Sequence, residues 1–299
     1  MSLLADSTRG RLIVCGAAVL WSTNGLFVKS GVFESWPPEQ RAMLLALWRA
    51  LFAALVLLPL VRGVRWSWKL LPMTLAFLAM NICFLQSMVW TTAANAIWLQ
   101  NIAPVWVCLF ARLSGETLDR RDLVPLVFSA CGVGLILAYE LSGISWSGAS
   151  LTDKAPQGVL IGLLSGLFYA CVIHFLRRLR DFDSAWLIVL NLATTAVVLA
   201  PLPARWGLWP TTTQWLTLVA FGIVQMGTPY FLFARGLRKI SSQEGAAIGL
   251  LEPLLVPIWV WQTERPAWWT IAGGALIFVG LACRYLVPLV AARPTASPR

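Results

Sequence analysis

The apolar stretch GLLEPLLVPIWVW, residues 249–261, contains one carboxylate, that of Glu252. Pro253 follows it directly, and Pro257 follows about one helical turn later. Because a proline ring removes a backbone donor and crowds the preceding turn, a helix through this stretch is expected to kink and to free carbonyl groups. Glu252 can then serve as a neutral hydrogen-bonding group between helices, as a proton carrier, or as a contact for a cationic group. The residues themselves leave these three interpretations open.

Arg49 is a second charged residue inside an apolar stretch, and it lies eight residues into segment 41–61. Its long side chain can snorkel towards the nearer membrane surface, bond to the ends of neighbouring helices, or contact the carboxylate of a solute. Pro104 lies within another apolar stretch and predicts a second kink. We therefore take Glu252, Pro253, Pro104 and Arg49 as candidate gating or coupling residues.

Amide and hydroxyl side chains recur beside aromatic ones at three- or four-residue spacing, which places each set on one helix face. An amide is costly in lipid unless it faces protein or water, and an aromatic ring beside it suits a solute with an apolar side chain and a polar head. The alternative is that these amides bond helices to one another. The candidate substrate-binding residues are Trp21 and Asn24; Asn81 and Phe84; Asn95, Trp98 and Asn101; Ser165 and Tyr169; and Gln225 and Thr228.

Motifs for several kinds of catalysis are missing from the sequence. It contains no GxxxxGKS/T, GxSxG or HExxH pattern, which argues against ATP hydrolysis, an esterase-like nucleophile and a zinc hydrolase. The six cysteines form no CxxC pair, and the single histidine, His174, lies beside Arg177 and Arg178, where polar packing or a headgroup contact is expected. We expect no catalytic residue, no metal ion and no cofactor, and thus not an enzyme.

The composition is that of an integral membrane protein. Of the 299 residues 59% are hydrophobic and 12% are charged, with a mean hydropathy of +0.74, whereas soluble domains carry about 25% charged residues. The net charge of +10 is spread over small clusters between apolar stretches, so it does not indicate nucleic-acid binding. The expected partners are the lipid bilayer and a small-molecule substrate, and a monomer is compatible with the pattern.

Ten apolar segments are long enough to be membrane helices, which need about 20 residues to cross the hydrocarbon. None shows the period-two alternation of barrel strands, so the sequence predicts an all-α integral membrane protein with ten transmembrane helices. The predicted spans are 11–30, 41–61, 69–90, 93–112, 121–140, 157–176, 184–201, 212–233, 242–262 and 268–290.

The positive charges predict the orientation of these spans. With the N-terminus inside the cell, 17 Lys and Arg residues fall on the cytoplasmic side and 5 on the far side, with Arg49 left inside a span. Because cytoplasmic loops carry the excess of Lys and Arg, this distribution predicts that both termini lie inside. About ten of the 17 tryptophans lie near predicted span ends, as expected for interfacial residues.

The chain also has the pattern of an internal duplication. NGLF at 24–27 resembles SGLF at 165–168, and alignment of Ala93 with Ser242 places Pro104 on Pro253. Each half has five predicted spans, and because five is odd the second copy enters the membrane inverted. The predicted units are a first repeat at 1–140, a polar Gly/Ser-rich link at 141–156 and a second repeat at 157–299.

These features together resemble the EamA-type branch of the drug/metabolite transporter superfamily. The resemblance rests on ten spans, a five-helix repeat, LWSTN at 20–24, and LLEPLLVP at 250–257 followed by TE at 263–264. It implies export of small metabolites, without ATP, through a central cavity lined by helices one, three, four, six, eight and nine. It favours a common structural or gating role for Glu252 over substrate selection.

Length and aromatic content are similar, within this family, to those of bacterial exporters of aromatic amino acids. We therefore expect a multi-pass protein of the bacterial inner membrane that exports hydrophobic or aromatic amino acids by alternating access. The alternatives are export of another small solute, such as threonine or homoserine, a nucleoside or a drug-like amine. A membrane protein that transports nothing, such as a scaffold, is an alternative of a different class.

Overall fold

The computed structural model describes residues 2–113, 115, 120–142 and 154–291. These residues form helices joined by short turns, and no strand occurs among them. Most of the predicted link, at 143–153, lies outside the described residues. The helices before the link are α1 (Ser2–Ser22), α2 (Asn24–Val28), α3 (Pro38–Leu57), α4 (Leu70–Trp90), α5 (Ala93–Gln100), α6 (Ala103–Leu113) and α7 (Arg120–Leu141).

The second half repeats this all-helical organisation. A π-helical turn at Phe221–Gly227 joins two of its helices, and short 3₁₀ turns occur at Gly31–Phe33 and Leu58–Leu60 in the first half. The helices after the link are α8 (Ala155–Arg178), α9 (Ser184–Leu199), α10 (Leu202–Trp206), α11 (Thr212–Ala220), α12 (Thr228–Gly236), α13 (Ser242–Gly249), α14 (Leu251–Trp259) and α15 (Trp268–Ala291).

Nine helical segments of the described chain are long and apolar enough to cross a membrane, and they coincide with predicted spans one to eight and ten. The predicted ninth span is not among them. It consists of two short helices, α13 and α14, and carries the acids Glu244 and Glu252. The nine segments are Asp6–Val28, Pro38–Leu60, Leu70–Trp90, Ala93–Phe110, Leu123–Leu141, Ala155–Arg178, Ser184–Trp206, Thr212–Gly236 and Trp268–Leu286.

Two helices are broken where the prolines predict. α5 ends at Gln100 and α6 starts at Ala103, one residue before Pro104. α13 ends at Gly249 and α14 starts at Leu251, two residues before Pro253. Both kinks are thus confirmed, whereas α14 continues through Pro257 without a break. Backbone hydrogen bonds continue across both breaks, from Asn101 N–H to the Ile97 carbonyl and from Leu250 N–H to the Ala247 carbonyl.

The starts of the two broken helices carry the same kind of cap. Thr92 Oγ1 accepts a hydrogen bond from the N–H of Asn95 at 3.0 Å, and Ser241 Oγ accepts one from the N–H of Glu244 at 3.1 Å. Such caps satisfy backbone donors that have no partner within the helix. They fix the start of α5, in the broken fourth span, and the start of α13, in the broken ninth span, at opposite ends of the bundle.

The halves are joined by pairwise helix packing. α4 packs along α8, α1 along α12, α3 along α9, and α7 along α15, while α5 meets α14. Every one of these pairs joins the first half to the second, so the core lies between the halves. Close approach at α7 and α15 requires glycine, because a Cβ on Gly132 would lie 2.4 Å from the carbonyl oxygen of Gly273.

Two glycines of α8, Gly162 and Gly166, face protein at close range. A Cβ on Gly162 would lie 2.7 Å from the hydroxyl of Ser87, and one on Gly166 would lie 2.7 Å from the carbonyl oxygen of Leu99. In the ninth span Gly249 differs, because a Cβ there would meet nothing within 4 Å. Gly249 therefore faces open space and does not contribute to helix packing.

Asp183 fixes the loop between the second and third spans onto the start of α9. Its carboxylate accepts hydrogen bonds from the backbone N–H groups of Arg62 at 2.6 Å, Gly63 at 3.1 Å and Ala185 at 2.8 Å. Burial alone would raise the pKa of this carboxyl group, but the N–H groups of the loop and the helix together lower the pKa below its ordinary value.

We expect Asp183→Ala to destabilise the protein at neutral pH by about 1 kcal/mol, the usual cost of a lost helix cap. Because the folded pKa is lowered, this stabilisation is present above about pH 4 and is lost as the pH falls through the folded pKa. Thermal unfolding in detergent at pH 7 and pH 3.5 measures it, with Asp183→Asn as the variant that keeps a neutral cap. An equal difference between wild type and Asp183→Ala at both pH values would contradict this account.

Candidate functional site

Arg49 lies at the centre of the bundle and has 3% of its surface exposed. Its Nη1 donates to Asn24 Oδ1 at 3.3 Å and to Gln225 Oε1 at 3.5 Å, and its Nη2 donates to Asn81 Oδ1. The side chain therefore does not snorkel to a membrane surface. It collects three of the amides that the sequence analysis selected, each from a different span.

Local irregularities of three helices make this cluster possible. α1 ends at Ser22, where the hydroxyls of Ser22 and Thr23 donate to carbonyl oxygens one turn back at 2.6 and 2.7 Å, and Asn24 then begins α2. Such back-bonding bends helices. The π-helical turn places Gln225 towards Arg49, and Gln225 Nε2 also donates to the carbonyl of Trp21 at 3.1 Å. π-helical turns occur frequently at functional sites.

The aromatic ring of Phe221, also in the π-helical turn, covers the guanidinium. Arg49 Cζ lies 5.0 Å from the centroid of this ring, and Phe27 stacks on its other side at 4.9 Å. Gly222 allows the approach, because a Cβ there would lie 2.5 Å from Phe52 Cβ and 2.9 Å from the Arg49 carbonyl oxygen. The cation is thus held by amides and by a π-face.

Glu252 lies close to this cluster at the start of α14 and is partly exposed. It interacts electrostatically with Arg49, Tyr169 and Tyr230. Among the described residues, no hydrogen bond or ion pair involves its carboxylate. An acid in such a position is open to a solute or to water.

Aromatic residues surround this acid. The ring of Trp21 lies 5.3 Å from that of Tyr230, edge to face, and 5.2 Å from that of Phe233. Tyr169 has 37% of its surface exposed although it lies inside a predicted span. Trp21, Tyr169, Tyr230 and Glu252, which belong to α1, α8, α12 and α14, are thus each at least partly exposed.

Four other predicted site residues take part in helix packing. Ser165 Oγ accepts from Gln100 Nε2 at 2.9 Å and donates to the Met80 carbonyl at 3.4 Å. Asn101 Nδ2 donates to the carbonyl of Ile97 at 2.9 Å, within its own helix end.

Phe84 and Trp98 belong to the main core, and a Cβ on Gly274 would lie 2.4 Å from the Trp98 indole. Thr228, partly buried, begins α12, and Pro104 lies in the first turn of α6.

Asn95 belongs to a separate buried polar cluster at the start of α5. Its Nδ2 donates to Glu140 Oε1 at 2.8 Å and to Thr91 Oγ1 at 2.9 Å, and its Oδ1 accepts from Thr270 at 2.8 Å. Glu140 also accepts from Trp269 Nε1 at 3.1 Å. The interpretation that amides bond helices together fits Asn95. The sequence analysis did not select Glu140, which ends predicted span five like an ordinary interfacial acid.

We expect Glu140→Ala to lower stability by about 1–3 kcal/mol, because it leaves the donors of Asn95 and Trp269 buried without this acceptor. Glu140→Gln keeps one acceptor oxygen and is expected to lose less. Thermal unfolding in detergent measures both. Glu140→Ala that unfolds like wild type would show that the cluster contributes no stability.

Lys29 and Glu264 close one end of the bundle, which is called the Lys29 end. Their charged atoms are 2.9 Å apart and largely buried. Lys29 Nζ also donates to the Thr91 carbonyl at 2.6 Å, and Glu264 Oε1 accepts from the N–H of Ala93 at the start of α5. A carboxylate at a helix N-terminus is further stabilised by the helix dipole. The sequence marks Glu264 within the TE motif without indicating this partner.

The opposite end, the Arg11 end, has ion pairs that are more exposed. Arg11 pairs with Glu244 at 2.8 Å, and Lys239 pairs with Asp6. Here α6 packs on α8, whereas α13 packs on α1 and α15.

We expect Lys29→Met and Glu264→Gln each to destabilise by about 3 kcal/mol, because each leaves a buried charge without its partner. The double variant removes both charges and should recover part of that loss. A double-mutant cycle of unfolding midpoints in detergent measures the coupling. Additive losses in the double variant would contradict a buried pair.

Nine candidate membrane spans around a polar and aromatic centre define this chain as a multi-pass membrane protein. The model of the EamA-like transporter family matches residues 8–138 and, a second time, residues 156–286. The chain belongs to the EamA-like transporter family.

Relatives of the chain are named as transporters. An uncharacterised transporter of Archaeoglobus fulgidus is 28% identical over 194 residues, which are 64% of this chain and 66% of that protein. The pseudopaline exporter CntI of Pseudomonas aeruginosa is 26% identical over 207 residues, 66% of this chain and 68% of that protein. The biotin transporter of Salmonella typhimurium is 23% identical over 246 residues, 77% of this chain and 79% of that protein.

A solved crystal structure shares the fold. Its TM-score is 0.63 with 20% sequence identity, and the alignment covers 96% of this chain and 99% of that chain. None of the three relatives' names refers to an aromatic amino acid, so the similarity of the chain supports transport and leaves the solute to be argued from the site.

Proposed function

We propose that this chain is a secondary transporter of the bacterial inner membrane that exports small amphipathic metabolites by alternating access, with hydrophobic and aromatic amino acids as its substrates. The observation that carries the proposal is the carboxylate of Glu252. It lies partly exposed beside a broken helix, with aromatic rings around it and no ion-pair partner among the described residues. An acid is costly within a span unless it serves such a site.

The proposed architecture is ten spans in two inverted repeats, residues 1–140 and 157–299, with both termini inside. Numbering the spans in order, the pairs α4–α8 and α1–α12 join spans three with six and one with eight. These two contacts are equivalent if each span n of the first repeat corresponds to span n+5 of the second repeat. The pairs α3–α9, α5–α14 and α7–α15 each join a span to its own counterpart. A two-fold axis between the halves generates this set of contacts.

The proposed site divides the predicted residues into two groups. Trp21, Tyr169 and Glu252 border the proposed solute space. There an aromatic side chain can pack on the rings, and an ammonium group can pair with the carboxylate of Glu252. Asn24, Asn81 and Gln225 hold Arg49 beside that space. The breaks before Pro104 and Pro253 allow the halves of each broken helix to move separately, which suits a gating role.

A second candidate function is export of a drug-like amine. The unpaired carboxylate of Glu252 and the rings of Trp21 and Tyr230 form a site for any amphipathic cation, with or without a carboxylate of its own. A scaffold that transports nothing has no need of a partly exposed acid between its halves. A transport assay with both kinds of solute separates these alternatives.

The test is uptake of radiolabelled phenylalanine, tryptophan and phenethylamine into proteoliposomes, for wild type and for Glu252→Gln, with and without a pH gradient. The matched control is Glu244→Gln, the same change one helix earlier on an acid that has an arginine partner. We expect wild type and the control to transport phenylalanine and Glu252→Gln to lose about tenfold or more of that rate.

Each result of this experiment has a distinct meaning. Transport in Glu252→Gln that keeps its rate but no longer responds to the gradient would assign Glu252 to proton coupling. Equal transport by both proteins, unaffected by the gradient, would make Glu252 structural and transport facilitated diffusion. Uptake of phenethylamine alone would favour the amine exporter, and no uptake of any solute would refute the proposed substrates.

A further inference from the structure

The guanidinium of Arg49 is buried without a compensating negative charge. Its hydrogen-bond partners are the neutral amide oxygens of Asn24, Asn81 and Gln225. Within the described residues, the carboxylate of Glu252 interacts with it electrostatically but forms no ion pair with it. Buried charges in proteins are ordinarily paired, so the cluster as it stands lacks an anion.

Two donors of this cluster also lack an acceptor. Arg49 Nε and Asn81 Nδ2 are both buried and have no hydrogen-bond partner among the described residues. The amide oxygen of Asn81 accepts from Arg49, so the Nδ2 of the same side chain lies next to the guanidinium. Two neighbouring N–H donors and one positive charge are what a carboxylate binds through its two oxygens.

We propose that Arg49 and Asn81 bind the carboxylate of the transported solute, which makes that solute a zwitterionic amino acid. The inference deepens the proposed function and depends on it for the identity of the site. Glu252 interacts electrostatically with Arg49 and forms no ion pair with it among the described residues, which leaves both groups to a solute whose ammonium and carboxylate share one carbon atom. The aromatic side chain then packs on Trp21 and Tyr230.

The charges of the site favour such a solute over its singly charged analogues. An amine that reaches Glu252 also approaches the positive charge of Arg49, and a simple carboxylic acid that reaches Arg49 approaches the negative charge of Glu252. Each analogue therefore pairs with one charged group of the site and leaves the other unpaired, whereas the zwitterion pairs with both, and its second attraction offsets the repulsions. Recognition of both charges is the property to be measured.

The experiment is equilibrium binding of three probes to the detergent-solubilised full-length protein by calorimetry. The probes are L-phenylalanine, phenethylamine, which lacks the carboxylate, and 3-phenylpropanoate, which lacks the ammonium. We expect wild type to bind phenylalanine about 10- to 100-fold more tightly than either analogue, as charged hydrogen bonds imply. All titrations are run in methanesulfonate, which has no carboxylate, and repeated in chloride.

Three variants separate recognition from folding. Arg49→Lys keeps the charge and loses the planar donors. Asn81→Asp places a carboxylate of the protein beside Arg49, so the fold keeps its contact while the solute's carboxylate meets competition. Arg41→Gln is the matched control, because Arg41 is on the same helix and donates to the Trp36 carbonyl, away from the site.

We expect Asn81→Asp and Arg49→Lys to lose most of the preference for phenylalanine over phenethylamine, and Arg41→Gln to keep it. In Asn81→Asp the affinity for phenethylamine should not fall, and the unfolding midpoint should equal or exceed that of wild type. This result is not expected if Arg49 has a purely structural role, because the site would then discriminate as before.

The inference is overturned if the preference survives in both variants, while phenylalanine transport by wild type would leave the proposed function intact. It is also overturned if phenylalanine binds to wild type in methanesulfonate and is displaced by chloride, since the cluster would then be a site for any small anion. If phenylalanine does not bind at all, the proposed substrates fail. Stabilisation by acetate of wild type but not of Asn81→Asp would then still support a carboxylate site, and its absence would refute one.

Discussion

The buried guanidinium of Arg49 is the interaction on which the centre of this bundle depends. A fixed positive charge in the middle of apolar helices has to be surrounded by acceptors. Three amides and the face of Phe221 supply this shell, and they come from three spans in both halves. The kink at Asn24 and the π-helical turn at Phe221–Gly227 bring these groups within reach.

The breaks in the helices follow the same constraint. Backbone polar groups freed inside a membrane need partners, and irregular backbone is tolerated there only where it lines protein or a water-filled space. The described structure starts each of the two proline-broken spans with a hydroxyl cap, and Glu252 lies directly after the second break, in the first turn of α14.

The local sequence predicted nine spans of the described chain from the length of apolar segments and both breaks from prolines, because each depends on residues adjacent in the chain. It also selected Asn24, Asn81 and Gln225, since an amide within an apolar span has to face protein or water. It could not predict that these three meet at Arg49, or that Asn95 meets Glu140, because spacing gives the face of a helix and not the neighbour opposite. The pair Lys29–Glu264 joins residues more than 200 positions apart, for which one sequence carries no signal.

In the proposed transport cycle the two ends of the bundle have different roles. The Lys29 end is closed by a largely buried ion pair, whereas the ion pairs of the Arg11 end are more exposed. A solute can shift such an equilibrium only by as much as its affinity differs between the two states. Glu252 begins α14 and Arg49 belongs to α3, so a zwitterion held between them links helices from different halves. Its binding energy then changes whenever the halves rotate against each other, which is the coupling that alternating access requires.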